Sequence, residues 1–323
     1  MKKTALITGI LGQDGAYLAQ FLLQKDYKVY GMFRRNANPS FENTDFLEVT
    51  SDIEFVCGDM TDEASLINLI KSIRPSEVYN LAAQSFVGCS WEQARLTTEV
   101  NAMGVLYLLN AIKFFSPTTK FYQASTSEMF GNARSSPQCE HTPFEPESPY
   151  AISKLYSYWL VRNFRESYRM FCCNGILFNH ESPIRGKEFV TRKISDGVAR
   201  IKLGLAKSIK LGNLSAKRDW GYAGDYVRAM WLMMQQVHPD DYVIATGKSH
   251  YIREFLKIAF EFAEIKDWEK YVKIDPRFKR PAEVYDLCGD AGKARKKLGW
   301  KPEKSFEDLV EYMVASDLQR LIN

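Results

Sequence analysis

Short, almost wholly apolar runs alternate with amphipathic stretches along the first half of the chain. The apolar runs cover residues 4–8, 28–33, 78–81 and 121–124, and a helical pattern over residues 16–23 follows the first of them. A strand that is apolar at nearly every position is typical of a parallel sheet with helices on both faces. The pattern therefore predicts an α/β fold built on a doubly wound parallel sheet.

The second half of the chain has fewer clear strand patterns. Helical patterns such as residues 195–203 are interleaved there with segments rich in Arg, Lys and aromatic residues, at 183–192, 216–226 and 276–285. Because no low-complexity tract or long linker intervenes, we expect a smaller, mixed α/β lobe that packs closely on the first and leaves a cleft. The predicted division is a sheet domain over residues 1–177, to which some later segments return, and a second lobe over 178–323.

Composition excludes several classes of protein. The 323 residues carry 43 Lys and Arg against 39 Asp and Glu, a net charge of +4, and 46% of them are hydrophobic, which is not typical of a disordered chain or of a basic nucleic-acid-binding protein. No apolar run approaches the roughly 18–20 residues that span a bilayer. The six cysteines form no CxxC pair, which argues against a zinc site or a disulfide framework. We therefore expect a cytoplasmic protein with no nucleic-acid or membrane partner.

A glycine-rich turn follows the first predicted strand. The segment TGILGQDG places Gly9, Gly12 and Gly15 immediately before the first predicted helix. Glycine lets the backbone turn tightly and approach a pyrophosphate, which can accept from the free N–H groups at the helix N-terminus. Since a strand precedes the turn and a helix follows it, the segment predicts dinucleotide binding by a Rossmann-like domain.

The dinucleotide is predicted to be NADP. Where an NAD enzyme presents an acidic residue to the ribose, after the second predicted strand, the chain has Arg34 and Arg35. Guanidinium groups match the 2′-phosphate of NADP, although a solvated basic loop is the alternative. Further candidate contacts could equally be ordinary turn residues. They are Asp59 and Met60, after the next short strand along the chain, and Leu81, Ala82, Ala83 and Ser85, at and beyond the end of the run 78–81.

Catalytic candidates follow the predicted strand at residues 121–124. The segment STSE contributes Thr126 and Glu128, and the segment YAISK places Tyr150 and Lys154 four residues apart. The preceding Ser-Pro dipeptide is typical of a helix start, so both side chains should project from one face of the first turns. We expect the lysine ammonium to lower the pKa of the tyrosine toward a value useful to a general base.

These motifs resemble the extended short-chain dehydrogenase/reductase superfamily and, within it, the GDP-mannose 4,6-dehydratase family. The resemblance covers nearly the whole chain, in the segments TGILGQDGAYLA, EVYNLAAQSFVG, FYQASTSEMFG, SPYAISKLY, ILFNHESPIRGKEFVTRKI and LGNLSAKRDWGYAGDYV. Gln13 and Asp14 inside the glycine turn, together with the NHESP run, are more specific to this family than the superfamily motifs.

The resemblance implies that GDP-mannose loses water to give GDP-4-keto-6-deoxy-mannose, with NADP+ taking a hydride from C4 of the sugar and returning it to C6. It assigns the 4-hydroxyl proton to Tyr150, with Lys154 supporting the tyrosine and holding the nicotinamide ribose. Thr126 would hydrogen-bond the 4-oxygen. Glu128 would act as base at C5 and then as acid for the departing C6 hydroxyl.

The resemblance also implies binding residues. Gln13, Asp14, His180 and Arg185 would contact the cofactor. A GDP pyrophosphate needs basic partners in a partly dry cleft. The substrate candidates are Ser85, Asn179, Glu188, Lys193, Lys217, Arg218, Arg280 and Glu283. The second lobe would thus be mainly a GDP-sugar-binding lobe, and the implied assembly is a homodimer or homotetramer.

Three alternatives stay open. A GDP-manno-heptose 4,6-dehydratase would use the same catalytic groups in a pocket of different size. A GDP-sugar reductase or epimerase of the same fold would give Glu128 no role in elimination. A non-catalytic cofactor-binding protein is the third, and the presence of all four catalytic candidates argues against it.

Overall fold

The structure is a computed structural model that describes residues 2–278 and 282–322. In chain order its strands are β1 (Thr4–Thr8), β2 (Lys28–Phe33), β3 (Glu54–Cys57), β4 (Glu77–Asn80), β5 (Lys120–Thr126), β6 (Cys172–Leu177), β7 (Asn179–Glu181), β8 (Ile209–Leu211), β9 (Lys217–Arg218), β10 (Trp220–Tyr222), β11 (Asp241–Ile244), β12 (His250–Tyr251), β13 (Val272–Ile274) and β14 (Asp286–Leu287). Its α-helices are α1 (Gln13–Gln24), α2 (Glu42–Phe46), α3 (Glu63–Ile73), α4 (Ala94–Thr98), α5 (Gly104–Phe115), α6 (Pro149–Tyr168), α7 (Val190–Lys202), α8 (Ala223–Met234), α9 (Ile252–Phe262), α10 (Gly292–Leu298) and α11 (Phe306–Ile322).

Seven of these strands form one parallel sheet in the order β3-β2-β1-β4-β5-β6-β11. The predicted doubly wound parallel sheet is therefore confirmed. From β1 the chain first adds β2 and β3 on one side and then β4, β5, β6 and β11 on the other, so the strand order switches between β1 and β4. In such sheets a crevice opens at the switch point, beyond the carboxyl ends of the strands. The glycine turn and the segment after β4 both lie at this crevice.

Two helical layers cover the sheet. Alternate side chains of the central strand β1 face the two layers. Ala5 and Ile7 pack against the layer of α1 and α8, whereas Leu6 packs against the layer of α3, α5 and α6. All three side chains are fully buried. Burying a Leu or Ile side chain contributes about 1.5–3 kcal/mol, which explains why these strands are apolar at consecutive positions.

The second lobe surrounds an aromatic cluster. Trp220 stacks on Phe306, with ring centroids 5.9 Å apart, and Phe255 meets both rings edge-on. Helices α7, α9 and α11 supply most of the surrounding apolar side chains. Three small sheets join the cluster, namely β7 with β10, β9 between β12 and β14, and β8 with β13. Later segments also belong to the main sheet and its helical layers, since β11 pairs with β6 and α8 packs on α1.

Helix α7 begins earlier than its sequence pattern indicates. The predicted helix covers residues 195–203, whereas α7 runs over Val190–Lys202. Thr191 and Arg192 in its first turns are buried, because the threonine hydroxyl donates to Glu181 and the guanidinium pairs with Asp317. Polar residues on the buried side hide the amphipathic period. Within the described residues, no helix has the length and apolarity that crossing a membrane requires.

Candidate active site

A cleft of about 630 Å³ lies between the carboxyl ends of the main sheet and the second lobe. Its lining draws on both halves of the chain. The predicted site residues that line it are Asp14, Leu81, Ala83, Ser85, Thr126, Glu128, Tyr150, Lys154, Asn179, His180, Arg185, Glu188, Lys193, Arg218 and Glu283. The fold thus brings most of the sequence candidates to one place.

The glycine turn is packed too closely for other residues. A Cβ on Gly15 would lie 2.4 Å from the carbonyl oxygen of Gly9, and Gly9 itself has φ +70° and approaches the backbone of Ala82. Helix α1 begins at Gln13, and Gly12 before it offers no side-chain cap. The first-turn N–H groups are therefore left for an external anion, which fits the phosphates of a dinucleotide.

A row of polar side chains fixes the segment that follows β4. The Thr8 hydroxyl donates to Asn80 Oδ1 at 2.6 Å and accepts from the backbone N–H groups of Leu81 and Ala82, both at 3.1 Å. Asn80 in turn donates to Gln123 Oε1 at 2.8 Å. These buried bonds hold three neighbouring strand ends in register beneath the cleft. Sequence reasoning missed them, because each residue by itself is an ordinary strand position.

The four catalytic candidates are buried at the centre of the cleft. Strand β5 ends at Thr126, and the hydroxyl of that residue accepts from the backbone N–H of Glu128 at 3.2 Å in a short 3-10 turn. Helix α6 begins at Pro149 with Ser148 as its N-cap, as the sequence predicts. Tyr150 and Lys154 consequently project into the cleft. None of the four side chains is more than 9% exposed.

The expected lowering of the tyrosine pKa is not found. Burial raises the pKa of Tyr150 to about 12, although a hydrogen bond with Thr126 opposes the shift and Glu128 adds to it. Burial also lowers the pKa of Lys154 to about 8, and its ammonium donates to the carbonyl of Ala124 at 2.9 Å. Desolvation is therefore the largest influence on the pKa of both groups in the protein alone.

Asn101 is a further residue that sequence reasoning missed. It lies in a π-helical turn, Glu99–Met103, between α4 and α5. Its side chain accepts from the N–H of Gln84 at 2.9 Å, donates to the carbonyl of the same residue at 3.0 Å, and reaches the Ser153 hydroxyl on α6 at 3.2 Å. Asn101 thereby ties the segment after β4 to the helix that carries Tyr150.

Basic groups of the second lobe face the catalytic groups across the cleft. Burial lowers the pKa of Lys193, whose ammonium lies 4.0 Å from the ring centroid of Phe278. Arg218 donates to the carbonyl of Val284 at 2.8 Å. Arg185 stacks on the ring of Phe189 at 3.6 Å. These cations form a wall suited to an anionic ligand.

Other candidates lie away from the cleft lining. Gln13 is buried and links the glycine turn to the second lobe, because it donates to the His180 carbonyl at 3.1 Å and accepts from Ser182 at 2.8 Å. Lys217 points to the other side of β9 from Arg218, with its ammonium 4.5 Å from the ring centroid of Tyr251. The structure thus does not bring Lys217 to the predicted pyrophosphate site.

The residues expected at the adenosine end lie past β2 and β3. Arg34 and Arg35 are exposed in the loop after β2. The Asp59 carboxylate accepts from the N–H and the hydroxyl of Thr61, both at 2.9 Å, and Met60 is buried against α5. Arg280 lies outside the described residues. Cleft residues that sequence reasoning did not single out include Cys89, Glu92, Lys210, Asn213 and Arg277.

A family model described as "GDP-mannose 4,6 dehydratase" matches residues 6–313. The chain belongs to the GDP-mannose 4,6-dehydratase family. It is 51% identical to "GDP-mannose 4,6 dehydratase 2" of Arabidopsis thaliana, covering 98% of this chain and 87% of that protein. It is 48% identical to "GDP-mannose 4,6-dehydratase" of Yersinia enterocolitica, covering 98% and 94%.

Solved structures agree with this family at the level of the fold. UDP-glucose 4-epimerase of Thermotoga maritima, crystallised with UDP-glucose, superposes with a TM-score of 0.87 at 24% identity, covering 98% of this chain and 99% of that one. The dTDP-glucose 4,6-dehydratase DesIV of Streptomyces venezuelae, with NAD and TYD bound, gives a TM-score of 0.86 at 24% identity, covering 97% and 96%.

Proposed function

We propose that this member of the family is a GDP-mannose 4,6-dehydratase, which removes water from GDP-mannose to give GDP-4-keto-6-deoxy-mannose. The observation that carries the proposal is the position of Glu128. Its carboxylate is buried in the same cleft as Thr126, Tyr150 and Lys154, two residues beyond the hydroxyl at the strand end. Oxidation or reduction of a sugar alcohol needs no second acid/base at that position, whereas elimination does.

The proposed cofactor is NADP. The chemistry it would supply when bound is reversible hydride transfer, from C4 of the sugar and back to C6, so that no net oxidant would be consumed. The glycine turn and the first turn of α1 would hold its pyrophosphate, and Lys154, His180 and Arg185 would hold the nicotinamide half. Arg34 and Arg35 would pair with the 2′-phosphate from the exposed loop after β2.

The protein's own groups would move two protons, one through Tyr150 and one through Glu128. Because Tyr150 is a neutral phenol in the protein alone, it would act as a base only when the positive charges of Lys154 and the bound cofactor lower its pKa. It would then take the proton of the 4-hydroxyl as C4 is oxidised, while Thr126 donates to the 4-oxygen. The resulting 4-ketone acidifies the C5 hydrogen, which Glu128 would remove. Glu128 would then protonate the departing C6 hydroxyl, which leaves as water, and Tyr150 would return its proton to C5, replacing the hydrogen that C5 lost, as the hydride reaches C6. The burial of these groups would limit the access of bulk water to the intermediate.

The second lobe would bind the GDP portion. Lys193 and Arg218 are proposed to neutralise the pyrophosphate, with Asn179, Glu188 and Glu283 as polar partners and Ser85 near the sugar. GDP-manno-heptose is the competing substrate, since its reaction would use the same catalytic groups. A cytoplasmic location stays a prediction.

We further propose that the protein forms at least a homodimer through α6. Ile152, Tyr156 and Trp159 are 57%, 46% and 52% exposed at helical spacing on the face opposite Tyr150 and Lys154. Such a stripe is unfavourable in water, and a second copy presenting the same stripe would cover it. Light scattering should give at least twice the chain mass of 37.1 kDa, and a monomer would contradict the proposal.

The function is tested by mass spectrometry of the product. Purified protein with catalytic NADP+ should convert GDP-mannose to a product about 18 mass units lighter with no net reduced cofactor, and more slowly convert GDP-manno-heptose. Glu128→Gln should lose at least about 100-fold in turnover while still binding the cofactor. Glu261→Gln, an exposed change on α9 outside the cleft lining, is the matched control. If Glu128→Gln retains most of its turnover, the elimination role is wrong.

A further inference from the structure

Asp14 and His180 come from opposite halves of the chain and meet at the cleft. Asp14 lies in the first turn of α1 and His180 lies at the centre of β7. The distance from His180 Nε2 to Asp14 Oδ2 is 2.7 Å. On the other side of the ring, Nδ1 lies 2.7 Å from the carbonyl oxygen of Phe178. Both nitrogens of one imidazole therefore face oxygen acceptors.

This arrangement selects one protonation state. A backbone carbonyl can only accept, so Nδ1 of His180 carries a proton. Asp14 Oδ1 already accepts from the side-chain amide of Gln13 at 2.9 Å, which favours the ionised carboxylate. Toward an ionised carboxylate, Nε2 must also donate. The geometry thus requires an imidazolium, with a proton on each nitrogen.

The ion pair is enclosed. The ring of Tyr226 stacks on His180 with centroids 4.5 Å apart and an interplanar angle of 21°. Gln13 donates to the backbone carbonyl of His180 at 3.1 Å, so one residue holds both partners. The titratable or charged groups that interact with the pair from the surrounding elements are Arg185, Tyr122, Tyr150, Lys154 and Tyr226.

We propose that Asp14 is a positioning residue that holds His180 as an imidazolium near neutral pH at the cofactor side of the cleft. His180 would then bind and orient the dinucleotide, and it would take no part in proton transfer. The proposal rests on the proposed function only in taking the cleft to hold a dinucleotide. It adds a reason for an acidic residue in the glycine turn, where an anionic ligand would otherwise disfavour one.

The pH behaviour of the pair supports this assignment. Burial raises the pKa of Asp14, but the charge and hydrogen bond of His180 more than offset burial and bring it to about 2. Burial alone would lower the pKa of His180, and Asp14 reverses this so that the pKa lies above its ordinary value. The aspartate thus contributes stability that is lost as pH falls toward about 2. The histidine contributes stability that is lost as pH rises through its raised pKa.

The charge state can be measured directly. The chain has four histidines, so imidazole NMR resonances are few, and a His180→Gln variant identifies the one of interest. In the wild type we expect this ring to remain an imidazolium at about pH 7.5, one unit above the ordinary histidine value. In Asp14→Asn the same ring should titrate below about pH 6.5, because burial then acts without the carboxylate. Asp26→Asn, an exposed change just after α1, is the control and should leave the titration unchanged.

Cofactor binding supplies a second readout. With NAD+ as the probe, whose charge is constant near neutrality, the Kd of the wild type should vary less than about threefold between pH 6 and 8. The Kd of Asp14→Asn should rise about tenfold or more over the same interval, as His180 loses its proton. A wild-type His180 that is neutral at about pH 7 overturns the proposal, even if Asp14→Asn fails to fold. Absent turnover with an intact imidazolium would contradict the proposed function instead.

Discussion

The two walls of the cleft are built in different ways. The sheet wall presents groups from the ends of parallel strands and the start of a helix. Hydrogen bonds between neighbouring strands and helices stabilise it. Thr126 lies at the end of β5, and Tyr150 lies in the first turn of α6. The lobe wall presents its cations from short strands and loops, and its contacts join residues far apart in the sequence.

A buried ion pair behind the lobe wall illustrates the difference. Arg192 on α7 and Asp317 on α11 pair with both side chains almost fully buried. The same guanidinium donates to the carbonyl of Arg185 at 3.2 Å, and Arg320 donates to the carbonyl of Pro183 at 3.3 Å. The C-terminal helix therefore supports the loop that carries a proposed cofactor contact. The sheet wall is fixed by topology, whereas the lobe wall depends on long-range charge pairing.

Breaking that pair should give the largest effect on stability. Asp317→Asn leaves the Arg192 guanidinium buried without a counter-ion, and we expect the free energy of unfolding to fall by about 3–5 kcal/mol. Chemical denaturation followed by fluorescence measures the change. Glu311→Gln, an exposed change on the same helix, should shift it by less than about 0.5 kcal/mol.

The paired replacement Arg192→Met with Asp317→Leu sharpens the comparison. Replacing a buried pair by apolar residues commonly restores stability. It cannot restore the hydrogen bond from Arg192 to the Arg185 carbonyl. We therefore expect recovered stability with cofactor affinity still reduced. A loss below about 1 kcal/mol in Asp317→Asn would contradict the importance given to the pair.

On the lobe wall, Lys193→Met should weaken substrate binding more than catalysis. The ammonium lies over Phe278, across the cleft from the catalytic groups. A hydrogen bond to a charged group contributes about 1.5–3 kcal/mol. We expect KM for the GDP-sugar to rise about 10- to 100-fold with kcat changed only a few-fold. Lys187→Met, which is exposed and outside the cleft lining, is the control. A large fall in kcat at unchanged KM would place Lys193 with the catalytic groups instead.

The sequence predicts the sheet wall better than the lobe wall. Strands β1, β2, β4 and β5 and the start of α6 could be predicted because local signals specify them: apolar runs, a glycine turn, and Ser148 before a proline. The residues of the glycine turn, Tyr150 and Lys154 follow from those elements. Polar residues buried by tertiary partners defeat the same reasoning, as Arg192 does at the start of α7.

The pKa values and the positions of the charged side chains are the features that the sequence predicts least well. Spacing places Lys154 one helical turn from Tyr150, yet burial dominates and raises the tyrosine pKa to about 12. The ammonium is held by the carbonyl of Ala124, a contact that spacing cannot reveal. Likewise Arg218 reaches the cleft and its neighbour Lys217 does not, because successive strand residues point to opposite sides. The sequence identifies the candidate residues, but only the fold shows on which side of the strand each side chain lies.

The smallest expected effect concerns the exposed end of the sheet wall. Replacing both Arg34 and Arg35 by Ala removes guanidinium groups from a solvated loop, where a charge contact is worth about 1 kcal/mol or less each. We expect NADP+ affinity to fall about tenfold, while NAD+ affinity changes less than about twofold, because only NADP+ carries the 2′-phosphate. Isothermal titration with both cofactors measures this, with exposed Lys207→Ala as the control. Equal affinity of the wild type for the two cofactors would show that these arginines do not select between them.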